Sequence, residues 1–169
     1  MKNILLVLLS LTMIVFSTSA FAKVVEKLPV ERGGLYYEYF SPNLANGQYE
    51  TYYNNGQLKY KRTYKDGIRD GIFEIHYDNG QLFRSSTYKV GIKDGLYERY
   101  YENGQLKSRW TYKDGKLDGL NEAYYDNGQL EWRATYKNNK EDGLTETYYK
   151  NGTLESKCFW VNGKKYECE

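Results

Sequence analysis

The chain has 169 residues, only two prolines and a net charge of +2, which bounds it to one modest domain without the basic excess that draws a protein to nucleic acid. Its 20 tyrosines and 16 glycines, with an aromatic content of 17%, suit β-strands and tight turns and argue against helices.

Residues 1–22 differ from everything after them. Lys2 is followed by an apolar run from Ile4 to Phe16, a small polar stretch from Ser17 to Ala20, and then Ala20-Phe21-Ala22. This is the pattern of a secretory signal peptide cleaved after Ala22, since the apolar run is short for a membrane span; an uncleaved anchor is the alternative. The expected mature chain starts at Lys23 and resides outside the cytoplasm, in the periplasm or at the cell surface. Residues 23–45 then form an entry or capping segment.

From residue 46 to 163 the sequence is periodic, with a step of about 24 residues. Asn-Gly starts at Asn55, Asn79, Asn103, Asn127 and Asn151. Asp-Gly starts at Asp70, Asp94, Asp118 and Asp142, and Thr-Tyr-Lys at Thr63, Thr87, Thr111 and Thr135. Phe159-Trp160-Val161 is a decayed last copy of Thr-Tyr-Lys, as expected of capping repeats. In each unit two aromatic-rich runs flank Asn-Gly, the strongest short hairpin signal, which predicts a type I′ turn with positive φ at both central residues. A two-residue turn at Asn103-Gly104 pairs Tyr101 with Leu106, Tyr97 with Trp110 and Glu98 with Arg109. The same register sets Glu50 opposite Lys61, Glu122 opposite Arg133 and Glu146 opposite Lys157, with Glu74 opposite Ser85 as the exception.

Strand alternation then sorts the side chains into two faces. One is expected to hold Tyr53, Tyr77, Tyr101, Tyr125 and Tyr149, the leucines from Leu58 to Leu154, and Tyr64, Tyr88, Tyr112, Tyr136 and Trp160. The other carries the charge pairs, the threonines, and a column of Tyr52, His76, Tyr100, Tyr124 and Tyr148. A single repeat cannot bury its aromatic face. Three arrangements would: hairpins coiled around it, a sheet curled into a trough, or a homodimer pairing two such faces. The segment Lys113 to Gly119 reads as the loop between hairpins. Its paired aspartates could hold calcium, but the interleaved lysines oppose a cation there.

Cys158 and Cys168 are expected to bridge in an oxidising compartment, stapling the tail (residues 164–169) to the last repeat. Their spacing is unlike a redox C-x-x-C pair. Repeated residues spread along a ladder do not converge on a catalytic pocket. His76 stands where other repeats have tyrosine, and the glutamate column is matched by bases across the strands. No catalytic residue, metal site or cofactor is therefore assigned. The candidate binding ladder is Tyr52, His76, Tyr100, Tyr124 and Tyr148 with Arg109 and Arg133.

Thr111-Tyr-Lys-Asp-Gly-Lys-Leu-Asp-Gly-Leu120, followed by Tyr-Tyr-Asp-Asn-Gly-Gln-Leu, resembles the bacterial variant of the MORN repeat, over about residues 46 to 163. The resemblance implies an extended, twisted sheet of successive hairpins acting as a protein-interaction scaffold. Related bacterial chains are often labelled antitoxins, and the eukaryotic repeats are linked to membrane phospholipids. The expectation is an all-β, non-enzymatic, exported scaffold that binds an as yet unidentified protein in the cell envelope. The alternatives are a binder of envelope glycan or phospholipid headgroups, or an antitoxin-like or immunity-type inhibitor acting outside the cytoplasm.

Overall fold

The computed structural model describes residues 29–39 and 42–169; the predicted signal peptide and its cleavage site lie outside them. Among the described residues all regular structure is strand. A small hairpin, β1 (Val30–Arg32) and β2 (Leu35–Tyr37), precedes one large sheet. The first repeats supply β3 (Gly47–Tyr52), β4 (Leu58–Lys65), β5 (Ile68–His76), β6 (Leu82–Lys89), β7 (Ile92–Tyr100) and β8 (Leu106–Lys113). The later ones supply β9 (Lys116–Leu117), β10 (Gly119–Tyr124), β11 (Leu130–Lys137), β12 (Lys140–Tyr148), β13 (Leu154–Val161) and β14 (Lys164–Cys168). Strands pair antiparallel with their neighbours in sequence, β9 and β10 both against β8, so an open sheet runs from β3 at one edge to β14 at the other. This is the tandem-hairpin architecture the repeat predicts.

The two kinds of turn are exchanged relative to expectation. At Asn103-Gly104 the Gly104 amide donates to the Tyr101 carbonyl at 2.9 Å and the Tyr101 amide to the Gln105 carbonyl at 2.8 Å. Only Gly104, at φ 85°, is left-handed. The loop is thus a type I turn on Glu102-Asn103 followed by a glycine bulge, the three-residue alternative to type I′. The type I′ geometry sits instead in the segment read as a loop, where Asp114 (φ 48°) and Gly115 (φ 77°) are the two central residues between paired Lys113 and Lys116. Val90 occupies the same left-handed position as Asp114, at φ 49°, which is costly for a β-branched side chain. The expected connection is therefore a two-residue turn followed at once by strand, and the tail (164–169) carries β14 over Lys164–Cys168.

The longer turn changes the register near it. Glu98 opposes Arg109 and Tyr97 opposes Trp110 as predicted, but a bulge then sets Tyr100, not Tyr101, opposite Leu106. Every hairpin repeats this shift, with Tyr52 opposite Leu58, His76 opposite Leu82, Tyr124 opposite Leu130 and Tyr148 opposite Leu154. Opposed residues share a face, so the leucine column belongs with the charged residues and not with the aromatic face. The bulge residues take its place, as Lys107 lies 5.0 Å from the Tyr101 ring centroid and Phe83 packs against Tyr77 at 5.1 Å.

A second bulge follows each type I′ turn. Arg69 opposes Tyr64 while Phe73 opposes Arg62, so Asp70, Gly71 and Ile72 face Thr63 alone. Gly71 has φ 109°, and a side chain there would start 3.1 Å from the Thr63 Cβ. The same glycine-on-threonine contact recurs at Gly95, Gly119 and Gly143, which accounts for both periodic residues.

Neighbouring hairpins are locked at both ends of the strands. The hydroxyls of Tyr53, Tyr77, Tyr101 and Tyr125 donate to the carbonyls of His76, Tyr100, Tyr124 and Tyr148, at 2.7, 3.0, 2.8 and 2.8 Å. At the other end the carboxylates of Asp70, Asp94, Asp118 and Asp142 accept from the turn amides of Val90, Asp114, Asn138 and Asn162. Of the two aspartates weighed as calcium ligands, Asp118 thus caps the next turn and Asp114 is itself capped by Asp94. Buried side chains concentrate on the aromatic face, at Tyr64, Phe73, Ser86, Ser108, Asn121, Ala134 and Cys158. At the ends of the sheet, Tyr36 of β2 packs on Tyr64 at 4.8 Å, and Cys158 is bonded to Cys168 across β13 and β14.

Candidate binding face

The charged face is organised by one row that crosses the sheet through the middle of every strand. Glu50, Lys61, Glu74, Ser85, Glu98, Arg109, Glu122, Arg133, Glu146 and Lys157 oppose one another in sequence from β3 to β13. Sequence reasoning finds the pairs within hairpins. The structure adds those between them: Lys61 lies 4.0 Å from Glu74, and Arg109, 2.8 Å from its own hairpin's Glu98, also lies 4.0 Å from Glu122. Arg133 turns to Glu146 of the next hairpin at 2.5 Å, although its own hairpin opposes it to Glu122. Signs alternate, so the row is close to neutral as a whole.

The candidate tyrosines stand two residues from these glutamates on the same face. Tyr52, Tyr100 and Tyr148 donate to Glu50, Glu98 and Glu146 at 2.5, 2.9 and 3.1 Å, and His76 lies 3.5 Å from Glu74. Burial, and then the bonded Glu98 carboxylate, push the Tyr100 hydroxyl up to about 12. Burial also raises Tyr124, helped by its bond to Glu122. The Glu146 carboxyl is held below its usual range: burial raises it, but the Arg133 and Tyr148 hydrogen bonds outweigh that. All seven candidate residues thus share one face, and the tyrosine hydroxyls are engaged by glutamates within the chain.

Beside the charge row runs a band that sequence reasoning missed. Ile72, Leu96, Leu120 and Leu144 lie two residues before the glutamates and oppose Thr87, Thr111, Thr135 and Phe159. Ile72, Leu96, Leu120 and Phe159 are 44 to 48% exposed. The signal was present, because the residue after each Asp-Gly is apolar in every complete repeat, on the parity of the charged face. The face therefore carries an aliphatic and threonine band, a self-neutralised charge band, and a tyrosine and leucine band.

The MORN repeat variant model matches residues 45–66, 69–89, 93–114, 117–138 and 141–162, each a strand, the Asn-Gly loop and the strand that follows. The chain belongs to the MORN repeat variant family. MORN repeats commonly mediate protein or membrane-lipid binding. No match was found among curated proteins. The family's repeat boundary thus falls at the type I′ turn, so each matched repeat is one of the hairpins drawn around Asn-Gly.

Ser85 is the one uncharged member of the row between Glu50 and Lys157, and it faces Glu74 on one side and Glu98 on the other. A Ser85→Arg substitution is expected to stabilise the fold by about 0.5 to 1 kcal/mol, the worth of one or two cross-strand charge pairs. Thermal melting checks this: the midpoint rises by a few degrees if the row is coupled across the gap, and stays put if each pair acts alone.

Proposed function

We propose that the MORN-repeat sheet is an exported scaffold that binds a protein partner in the cell envelope through its charged face. The observation that carries this reading is the exposed row of Ile72, Leu96, Leu120 and Phe159 beside charges already paired within the chain. Apolar side chains on a surface whose ions need no outside counter-charge form the apolar centre and polar rim of a protein interface. Export rests on the signal-peptide reading of residues 1–22.

A photo-crosslinker at position 96, introduced in cells, tests the binding face. The expected result is one protein adduct of defined mass, lost in Leu120→Asp while the circular dichroism of the purified variant is unchanged. Adducts only to lipid or glycan would move the partner to those classes, and an adduct indifferent to Leu120→Asp would remove this face. N-terminal sequencing of the exported chain should begin at Lys23; an intact Met1 would refute cleavage.

A further inference from the structure

Asn-Gly occurs seven times, at Asn46, Asn55, Asn79, Asn103, Asn127, Asn151 and Asn162, and all seven asparagines are exposed. The pair is chemically prone to deamidation, because a glycine has no side chain to keep its amide nitrogen from the preceding asparagine's Cγ. Identical pairs at similar exposure would age alike. What separates them here is the hold on each side-chain amide.

Five of the seven have that amide tied to a main-chain carbonyl. Nδ2 of Asn55, Asn79, Asn103 and Asn127 donates to Asp78, Glu102, Asp126 and Lys150 of the following hairpin, at 2.6, 3.3, 3.4 and 2.9 Å. The hydroxyls of Tyr53, Tyr77, Tyr101 and Tyr125 hold the same four loops a second time. Asn46 donates to the Leu44 carbonyl at 3.3 Å and accepts from the Asp66 amide at 2.8 Å. The turn of Asn162 is held by the preceding hairpin, with the Asp142 carboxylate on the Asn162 amide at 3.3 Å and the Glu141 carbonyl on the Gly163 amide at 2.8 Å.

Asn151 differs from all of these. Its loop is the last of its kind, so no later loop receives its bonds, and Tyr149, at the position of the locking tyrosines, is 51% exposed. Among the described residues Nδ2 of Asn151 has no hydrogen-bond partner. Its Oδ1 accepts from both the amide and the hydroxyl of Thr153, at 3.0 and 2.7 Å. The four inner loops have Gln57, Gln81, Gln105 and Gln129 there, which give the asparagine oxygen a backbone amide alone. The least restrained asparagine thus has the most polarised carbonyl.

We propose that Asn151 is a site of spontaneous modification, at which the chain deamidates itself through Gly152 with the Thr153 hydroxyl as oxyanion donor. The Gly152 nitrogen leaves the Tyr149 carbonyl, to which it donates at 2.7 Å, gives up its proton to solvent and attacks Cγ of Asn151. Negative charge gathers on Oδ1, where the Thr153 hydroxyl stabilises it. The bond from Cγ to Nδ2 then breaks, and Nδ2 takes a proton and departs as ammonia. Water adds to either carbonyl of the resulting cyclic imide and opens it to aspartate or isoaspartate. One water is consumed for each ammonia released, and no oxidant or cofactor takes part.

The mature, disulfide-bonded protein, kept at pH 8 in heavy-oxygen water, tests this by peptide mass spectrometry of all seven sites. Asn151 should convert about tenfold faster than Asn55, Asn79, Asn103 or Asn127, the order that two additional neutral hydrogen bonds are worth. In urea that lead should vanish, since every site is then an unfolded Asn-Gly. Thr153→Gln should slow Asn151 towards the inner sites. Tyr125→Phe should speed Asn127 several-fold with the circular dichroism unchanged. Equal rates in the folded protein would overturn the proposal, and so would a lead for Asn151 that persists in urea. Thr153→Gln without effect would refute the role of the hydroxyl.

Discussion

Deleting residues 95–118 should leave a folded protein one repeat shorter, whereas deleting residues 95–106 should unfold the sheet from β6 onward. The longer deletion joins Asp94 directly to Gly119, two residues that already stand next to each other in the repeat. The contacts a hairpin makes to its successor are backbone-directed, so they can be remade with a different successor. Tyr77 would donate to the carbonyl of Tyr124 in place of Tyr100, Asn79 to that of Asp126 in place of Glu102, and Asp94 would cap the amide of Asn138 in place of Asp114. Ser86 and Arg84 would face Asn121 and Ala123 instead of Tyr97 and Arg99, smaller side chains that bring no clash. The shorter deletion removes most of β7 and leaves β6 and the rest of β8 running the same way, joined by a handful of residues. Parallel neighbours need a crossover of a dozen residues or more, so they cannot pair. Circular dichroism and urea unfolding check both: the longer deletion keeps a cooperative transition with a reduced m-value, and the shorter one loses it. The opposite result would refute the register.

That register was legible where side chains interact and hidden where the backbone decides. Glu98 opposite Arg109 and Glu122 opposite Arg133 follow from the sequence, because oppositely charged residues recur at matched distances from each Asn-Gly. Asn-Gly itself fits either a type I′ turn or the last two residues of a type I turn with a glycine bulge, and the two differ by one loop residue. That residue reverses the parity of the strand beyond it, which moves the leucine column to the other face. A sequence clue existed: Leu58 to Leu154 are the same in all five repeats, whereas their neighbours Lys59, Phe83, Lys107, Glu131 and Glu155 vary in charge, as side chains on different faces would. The Asp-Gly pairs were read as a loop whose glycines suit unusual backbone angles, though left-handed φ at two successive residues is equally the demand of a type I′ turn. The locks between hairpins left no trace to read, since their acceptors are main-chain carbonyls common to every residue. Of the binding face, the candidate ladder was readable as a column. The aliphatic band was not, because Leu96 and its equivalents were read as strand while only the charge pairs, the threonines and the tyrosine column were assigned to their face.

Raising the pH from 10 to 12 should unfold the protein cooperatively. Nine tyrosine hydroxyls, those of Tyr53, Tyr64, Tyr100, Tyr101, Tyr112, Tyr124, Tyr125, Tyr136 and Tyr148, are shifted above their ordinary value of 10.0, in every case first by burial. Tyr100 and Tyr136 are pushed to about 12, with Glu98 and Glu141 as their second causes. The folded state therefore holds these protons more tightly than the unfolded chain. The stability they contribute is whole below pH 10, declines as the unfolded chain ionises, and is lost as pH passes the folded values. Lys93 opposes the trend, because burial and Arg84 lower its ammonium and deprotonation relieves that cost, but it is one group against nine. Tyrosinate absorbance and far-ultraviolet circular dichroism, recorded together against pH, should change in one steep step. Tyr136→Phe should flatten the dependence of stability on pH while costing about 1 kcal/mol at neutrality for the lost bond to Glu141. Gradual tyrosine titration around pH 10 with the strand signal intact would show that these hydroxyls are solvated and that the aromatic face is not the seat of the fold's stability.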